Sequence, residues 1–122
     1  MRDRRRRRSS DPLVALHYQL SHARALGSLD TIVIADDSGV VVAGSGSWAA
    51  CEELAAYAPF LSQERNEPGS PRIATLRDEA LVKRLSVGSS TVIVCAKGAK
   101  KDDAARSALD QASAGAARIL AA

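Results

Sequence analysis

Tyr18, Trp48, Tyr57 and Phe60 are the only aromatic residues among the 122 of this chain. That scarcity removes two options. The core has to be assembled from Ala, Val, Leu and Ile, and a ligand pocket lined by large side chains has little to be built from. Cysteine is almost as rare. Cys51 and Cys95 stand far apart, each in an apolar run, with no C-x-x-C pair. They read as small buried hydrophobes with free thiols rather than as a disulfide. A zinc site needs four converging ligands. The only further candidates, His17 and His22, lie five positions apart, about 140° around a helix, and so do not face one site. No apolar run approaches the roughly 20 residues of a membrane helix. The stretch from Leu13 to Leu20 is interrupted by His17, Tyr18 and Gln19, which argues against a signal peptide. These absences predict a cytoplasmic, globular chain with no metal and no cofactor.

Charge is present but unevenly placed. Residues 1–10 carry six arginines, Arg2 and Arg4, Arg5, Arg6, Arg7 and Arg8, against the single acid Asp3. The remainder holds 11 basic and 13 acidic residues. The net charge of +3 is therefore the sum of a basic tail and a mildly acidic body. Residues 1–11 read as a disordered arm, because like charges repel and nothing apolar offsets the entropy of ordering. Residues 12–122 read as the folded domain. The arm has the chemistry to bind nucleic acid or an anionic membrane, or it is a solubilising extension only.

Asp11 followed by Pro12 is an N-cap with proline at the first helical position. Leu13, Leu16, Leu20 and Ala23 then recur at helical spacing, predicting a helix to about Leu26 that stops at Gly27. Thr31–Ala35 and Val40–Gly44 are β-branched runs joined by Asp36-Asp37-Ser38-Gly39, which predicts a hairpin with Gly39 at positive φ. Neither run alternates strictly, so the hairpin is expected to be covered on both faces. Ser47 caps a second helix, from Trp48 to Leu61, that is apolar almost all round. A helix of this kind in so short a chain is either sandwiched or meets a partner. Residues 62–71 read as a loop. Strands are predicted at Arg72–Leu76, Ala80–Val87 and Thr91–Lys97, and a last helix from about Asp102. The predicted order is α-β-β-α-β-β-β-α, an α+β fold with a five-stranded antiparallel sheet covered by helices.

Catalytic readings are outweighed one by one. Gly44-Ser45-Gly46-Ser47 precedes a helix but lacks the Lys-Ser/Thr of a phosphate-binding loop. Asp36 and Asp37 are adjacent in a turn and splay apart, so turn chemistry accounts for them. Nothing marks Cys51 or Cys95 as an activated nucleophile. The chain is read as no enzyme.

The order of elements resembles the roadblock/LC7 family. The features that carry the resemblance are the hairpin from Leu29 to Ala43 with its acidic-Gly turn, the Ala- and Leu-rich middle helix, the strands after it, and the closing helix from Ala112 through Ala116, Ala117, Arg118 and Ile119 to Leu120. It covers residues 12–121, and neither the arginine arm nor Trp48 belongs to its pattern. The resemblance implies a sheet with the middle helix on one face and the two terminal helices on the other. It also implies homodimers or heterodimers in which middle helices pack together and third strands pair edge to edge. Trp48, Cys51, Leu54, Ala55, Tyr57, Ala58 and Leu61 would then form the helical seam, with Arg72, Ile73, Ala74, Thr75 and Leu76 as the paired edge. Its implied role is that of a non-catalytic adaptor that regulates Ras-like small GTPases or scaffolds complexes, motor complexes included. Two alternatives stand beside it: a protein tethered to nucleic acid or acidic membrane by its arm, and a small-ligand sensor of the profilin-like or GAF-like kind.

Overall fold

The Asp11-Pro12 signature opens the first helix as the sequence predicts. The structure is a computed structural model that describes residues 11–63 and 70–121. The arginine arm and the middle of the predicted 62–71 loop lie outside the described residues. Helix α1 spans Pro12–Leu26. Asp11 Oδ1 accepts from the amides of Leu13 and Val14 at 3.1 and 3.3 Å, satisfying two otherwise unpaired donors. The Gly27 amide closes it by donating to the Ala23 carbonyl.

Strands β1 (Leu29–Asp36) and β2 (Val41–Ser45) form the predicted antiparallel hairpin. Asp36 Oδ1 accepts from the amides of Ser38 and Val40 at 2.9 and 3.0 Å, and Gly39 takes φ +87. Helix α2 is Trp48–Leu61, and Ser47 Oγ accepts from the Ala50 amide at 3.2 Å. Helix α3 is Pro71–Glu79. Strands β3 (Ala80–Val87) and β4 (Ser90–Gly98) form a second hairpin. Helix α4 (Asp103–Ala121) closes the fold, its first turn held by Asp102 Oδ1, which accepts from the Ala105 amide.

One predicted element is corrected. Arg72–Leu76 is not a strand but lies within helix α3. Ser70 Oγ accepts from the Ile73 amide, proline occupies the first turn, and Thr75 Oγ1 donates to the Pro71 carbonyl. These local bonds outweigh the modest strand preference of Ile73 and Thr75. The order is therefore α-β-β-α-α-β-β-α, and the sheet has four strands among the described residues rather than five, arranged β2-β1-β4-β3 and antiparallel throughout.

Helices cover both faces of that sheet. On one face α1 and α4 pack Leu16, Leu20, Leu109, Ala112 and Ala116 against Ile32, Ile34 and Val94. On the other, α2 packs Cys51, Leu54, Ala55 and Ala58 against Val33, Ala35, Ile93 and Cys95, and α3 adds Leu76. Ile32 to Ala35 are consequently buried on both sides, which is why the alternation expected of a half-exposed strand is missing from this run. The two terminal helices are antiparallel neighbours. Gln19 Nε2 donates to the Gln111 carbonyl, and Gly27 sits against Ala105 and Ala108. A β-carbon on Gly115 would come within 2.5 Å of Gln19 Cδ, so small residues set how closely the two helices approach. Among the described residues no helix is long and apolar enough to cross a membrane.

Ser113 is the polar exception in this layer. It is 1% exposed and its hydroxyl has no hydrogen-bond partner. Ser113→Ala is expected to stabilise the chain by about 1 kcal/mol, since it removes an unpaired buried polar group and improves helix propensity. A urea midpoint that falls instead of rising would show that the hydroxyl has a partner in solution.

Candidate protein-interaction surface

Helix α2 sorts its apolar residues into two faces. Cys51, Leu54, Ala55 and Ala58 point into the sheet. Trp48, Glu52, Ala56 and Phe60 follow one another four apart, and all are exposed. Trp48 is 59% and Phe60 50% exposed. Twelve residues separate them, about 18 Å along the helix, with the small Ala56 between. Tyr57 and Leu61 are half-buried at the flank of this stripe, against the α2 side of the core.

Helix α3 braces the surface. Arg72 donates through Nε and Nη2 to the two carboxylate oxygens of Glu53, at 3.1 and 2.6 Å. This two-point clamp pulls the Glu53 carboxyl below its ordinary range, chiefly through the hydrogen bond and secondarily through the charge of Arg72. Arg77 Nη2 donates to the Phe60 carbonyl at 3.0 Å, holding the last turn of α2. Ala74 and Thr75 are exposed, Arg72 and Ile73 half-buried, and Leu76 buried.

The residues singled out from the sequence thus divide. Of the twelve expected at a seam, Cys51, Leu54, Ala55, Ala58 and Leu76 are occupied by the chain's own core. Trp48 remains on the surface. Ala56 and Phe60 complete the stripe and stand outside the expected seam, although their four-residue spacing from Trp48 is there to be read. The unpaired sheet edge expected at Arg72–Leu76 does not exist, because that segment is helical. In the order β2-β1-β4-β3 the outer strands are β2 and β3, and β3 offers the longer edge, Ala80–Val87.

The groups with candidate chemistry fall into quiet surroundings. Cys51 and Cys95 are buried free thiols. Burial raises the Cys51 thiol and pushes Cys95 up to about 12, so both behave as neutral hydrophobes rather than as nucleophiles. His17 is exposed, and its Nδ1–H donates to the Gly44 carbonyl at 3.0 Å; His22 is exposed as well. Gly44-Ser45-Gly46-Ser47 ends in a helix cap, and the cleft of about 320 Å³ beside it is lined by Asp30, by Glu53, which Arg72 holds, and by Lys97, which is paired with Glu79. That balance does not favour a phosphate. Among the described residues no three His, Cys, Asp or Glu side chains are grouped to hold a metal ion.

No family model matches the chain, and no curated protein matches it. Solved structures do. A structure described as MglB with tetrameric arrangement superposes with a TM-score of 0.58 over 91% of each chain at 14% identity. MglB of Myxococcus xanthus gives 0.54 over 88% of each chain at 13% identity. The gliding protein MglB from Thermus thermophilus gives 0.58 over 91% of this chain and 92% of that one, at 16% identity. This is a roadblock/LC7-type fold. Identities this low carry the architecture alone. The roadblock/LC7-type architecture is nonetheless the one that the hairpin and closing-helix patterns resemble, with the middle helix on one face of the sheet and the terminal helices on the other.

Proposed function

We propose that the chain is a non-catalytic, cytoplasmic adaptor that works as a dimer, and that its dimer docks a Ras-like small GTPase or a comparable regulatory partner. The observation that carries the reading is the exposed stripe Trp48–Ala56–Phe60 on α2. Large aromatics at half exposure around a small residue let two helices approach closely and bury both rings, and such residues are enriched where proteins meet. As an outer strand, β3 has one edge with no strand partner among the described residues, a row of backbone donors and acceptors that a second strand can meet. In the proposed dimer, α2 meets its counterpart through Trp48, Ala56 and Phe60, flanked by Tyr57, Leu61 and the α3 residues Arg72, Ile73, Ala74 and Thr75. The β3 strands pair beside them, in the place first expected of Arg72–Leu76. A solved structure of this fold is described as tetrameric, so the architecture is compatible with self-association.

Light scattering coupled to a sizing column tests this. The full chain is expected to run as a dimer at micromolar concentration. Trp48→Asp and Phe60→Asp are each expected to give a monomer of unchanged circular dichroism, because the new charge is solvated in the monomer and buried without a partner in the dimer. A wild-type monomer at that concentration would overturn the reading. The GTPase part is checked by loading the wild-type and monomeric forms onto resin and assaying the bound fraction for guanine nucleotide. Retention of nucleotide on neither form would remove it.

A further inference from the structure

The proposed dimer leaves the arginine arm without a role, and the opposite face of the sheet offers one. Strand β1 runs from Leu29, paired with Gly98, to Asp36, paired with Val92. The hairpin turns after Asp36 and Val87 therefore lie together at one end of the sheet. Because Gly27 packs on Leu29, Ala105 and Ala108, α1 ends at the far end of the sheet and begins at the turn end, beside the last turn of the antiparallel α4. Asp11, where the arm joins the body, is at that same end.

A cleft of about 480 Å³ opens there, between the two turns and α4. Val42, Val87, Val92 and Leu120 make its apolar part, and Asp36, Asp37 and the hydroxyls of residues 89–91 its polar part. The carboxylates come without lysine or arginine in the lining. Asp36 spends Oδ1 on the amides of its turn, while Asp37 is exposed. Most of the described basic residues belong to other parts of the body: Arg24, Lys97, Lys100 and Lys101 at the far end, Arg72 and Arg77 on α3, Lys83 and Arg84 along β3. Arg118, in the last turn of α4, is the cation nearest this end in the chain's topology.

An apolar surface with carboxylates and hydroxyls beside it suits one side chain above others. Arginine lays its methylene stem along apolar atoms and presents its guanidinium to acceptors. We propose that the arm of the same chain, Arg2 and Arg4 to Arg8, docks into this cleft. Arg8 is three residues and Arg2 nine residues from Asp11, so the chain lets them reach at most about 11 Å and about 32 Å from it. A tether this short gives an effective concentration on the order of millimolar, so individually weak contacts suffice. Any anion that recruits the arm also empties the cleft. The apolar part of the cleft lies on the face of the sheet opposite α2, while the turn that carries Asp36 and Asp37 also touches α2, where Gly39 lies against Ala55 and Ala56.

Amide chemical shifts of the full chain test it. The wild type is compared with a full-length variant in which Arg2 and Arg4 to Arg8 are each replaced by Gln. Shift differences are expected at residues 36–42, 87–92 and 118–121. Asp37→Lys, a solvated position that leaves the turn's hydrogen bonds in place, is expected to reproduce them. Raising the salt should move the wild type toward the variant, since contacts at the surface are screened. Differences confined to residues 11–14, or to α2 away from Ala55 and Ala56, overturn the proposal, as does an Asp37→Lys spectrum with the wild-type pattern at 87–92. Unlabelled wild type mixed into the labelled glutamine variant is expected to leave the latter unchanged. Perturbation of its cleft would place the arm in a second copy and overturn docking within one chain.

Discussion

Ala55→Asp is expected to remove about 4 kcal/mol or more of the fold's stability, whereas Ala56→Asp, one position further, is expected to leave it nearly unchanged. Ala55 is fully buried against the sheet, among Val33, Ala35, Ile93 and Cys95. A carboxylate there would lose its water, gain no cation and be larger than the space it enters. Each of these opposes folding, and together they cost about 4 kcal/mol or more. A domain of this size has roughly 5–15 kcal/mol in total. Ala56 faces solvent, so aspartate there costs the monomer about 0.7 kcal/mol in helix propensity. In the proposed dimer the same charge would face its own symmetry mate across a two-fold interface, and self-association should be lost. Circular dichroism with light scattering separates the cases. A urea midpoint for Ala55→Asp no lower than that of Ala56→Asp would mean that α2 packs on the sheet with its other face.

How far the sequence can be read follows from the kind of signal each element carries. Helix α1 is legible to the residue because Asp11-Pro12 and Gly27 are local chemical statements, made by the same atoms that form the caps. The β1–β2 hairpin is legible because the Asp36-to-Gly39 turn dictates its own geometry and β-branched residues flank it. Ser70-Pro71 is the same kind of statement as Asp11-Pro12 and starts α3 in the same way. Ile73 and Thr75 mask it, yet their strand preference is weak evidence that tertiary context readily reverses. One misread segment has a wide effect: it supplies a fifth strand and moves the expected sheet edge from Ala80–Val87 to Arg72–Leu76.

The candidate surface is legible only in outline. That α2 is apolar all round can be counted from its letters. Which half the chain uses for itself depends on where the sheet lies, and the sheet is assembled from four separate segments. Cys51, Leu54, Ala55 and Ala58 cannot be told from Ala49, Ala56 and Phe60 by hydrophobicity, since both sets are apolar and both keep helical spacing. The cleft at the turn end is hidden for a related reason. Asp36 and Asp37 are local to one turn, but their neighbours Val87, Ser90 and Leu120 come from across the sheet and from the end of α4.

Gly46→Ala should be the most damaging of the conservative changes outside the helices, and the reason is separable into two parts. Gly46 takes φ +123, a conformation that side chains rarely enter. A β-carbon placed on it would also lie 2.7 Å from the Asp30 carbonyl oxygen and 3.2 Å from Thr31 Cα. Those are backbone atoms of β1, and Thr31 is buried, so nothing flexible can move aside. Strain and overlap together are expected to cost about 2–4 kcal/mol. The loop must shift to relieve them, and Ser47, which follows, would then lose its grip on the Ala50 amide, so α2 should fray from Trp48. Gly88 is the control. It also has positive φ, +61, but a β-carbon there meets nothing within 4 Å, so Gly88→Ala should cost only about 1–2 kcal/mol. Urea unfolding of the two variants measures the difference. Equal midpoints would mean that the β2–α2 connection does not press on β1, and that Gly46 matters for its φ alone.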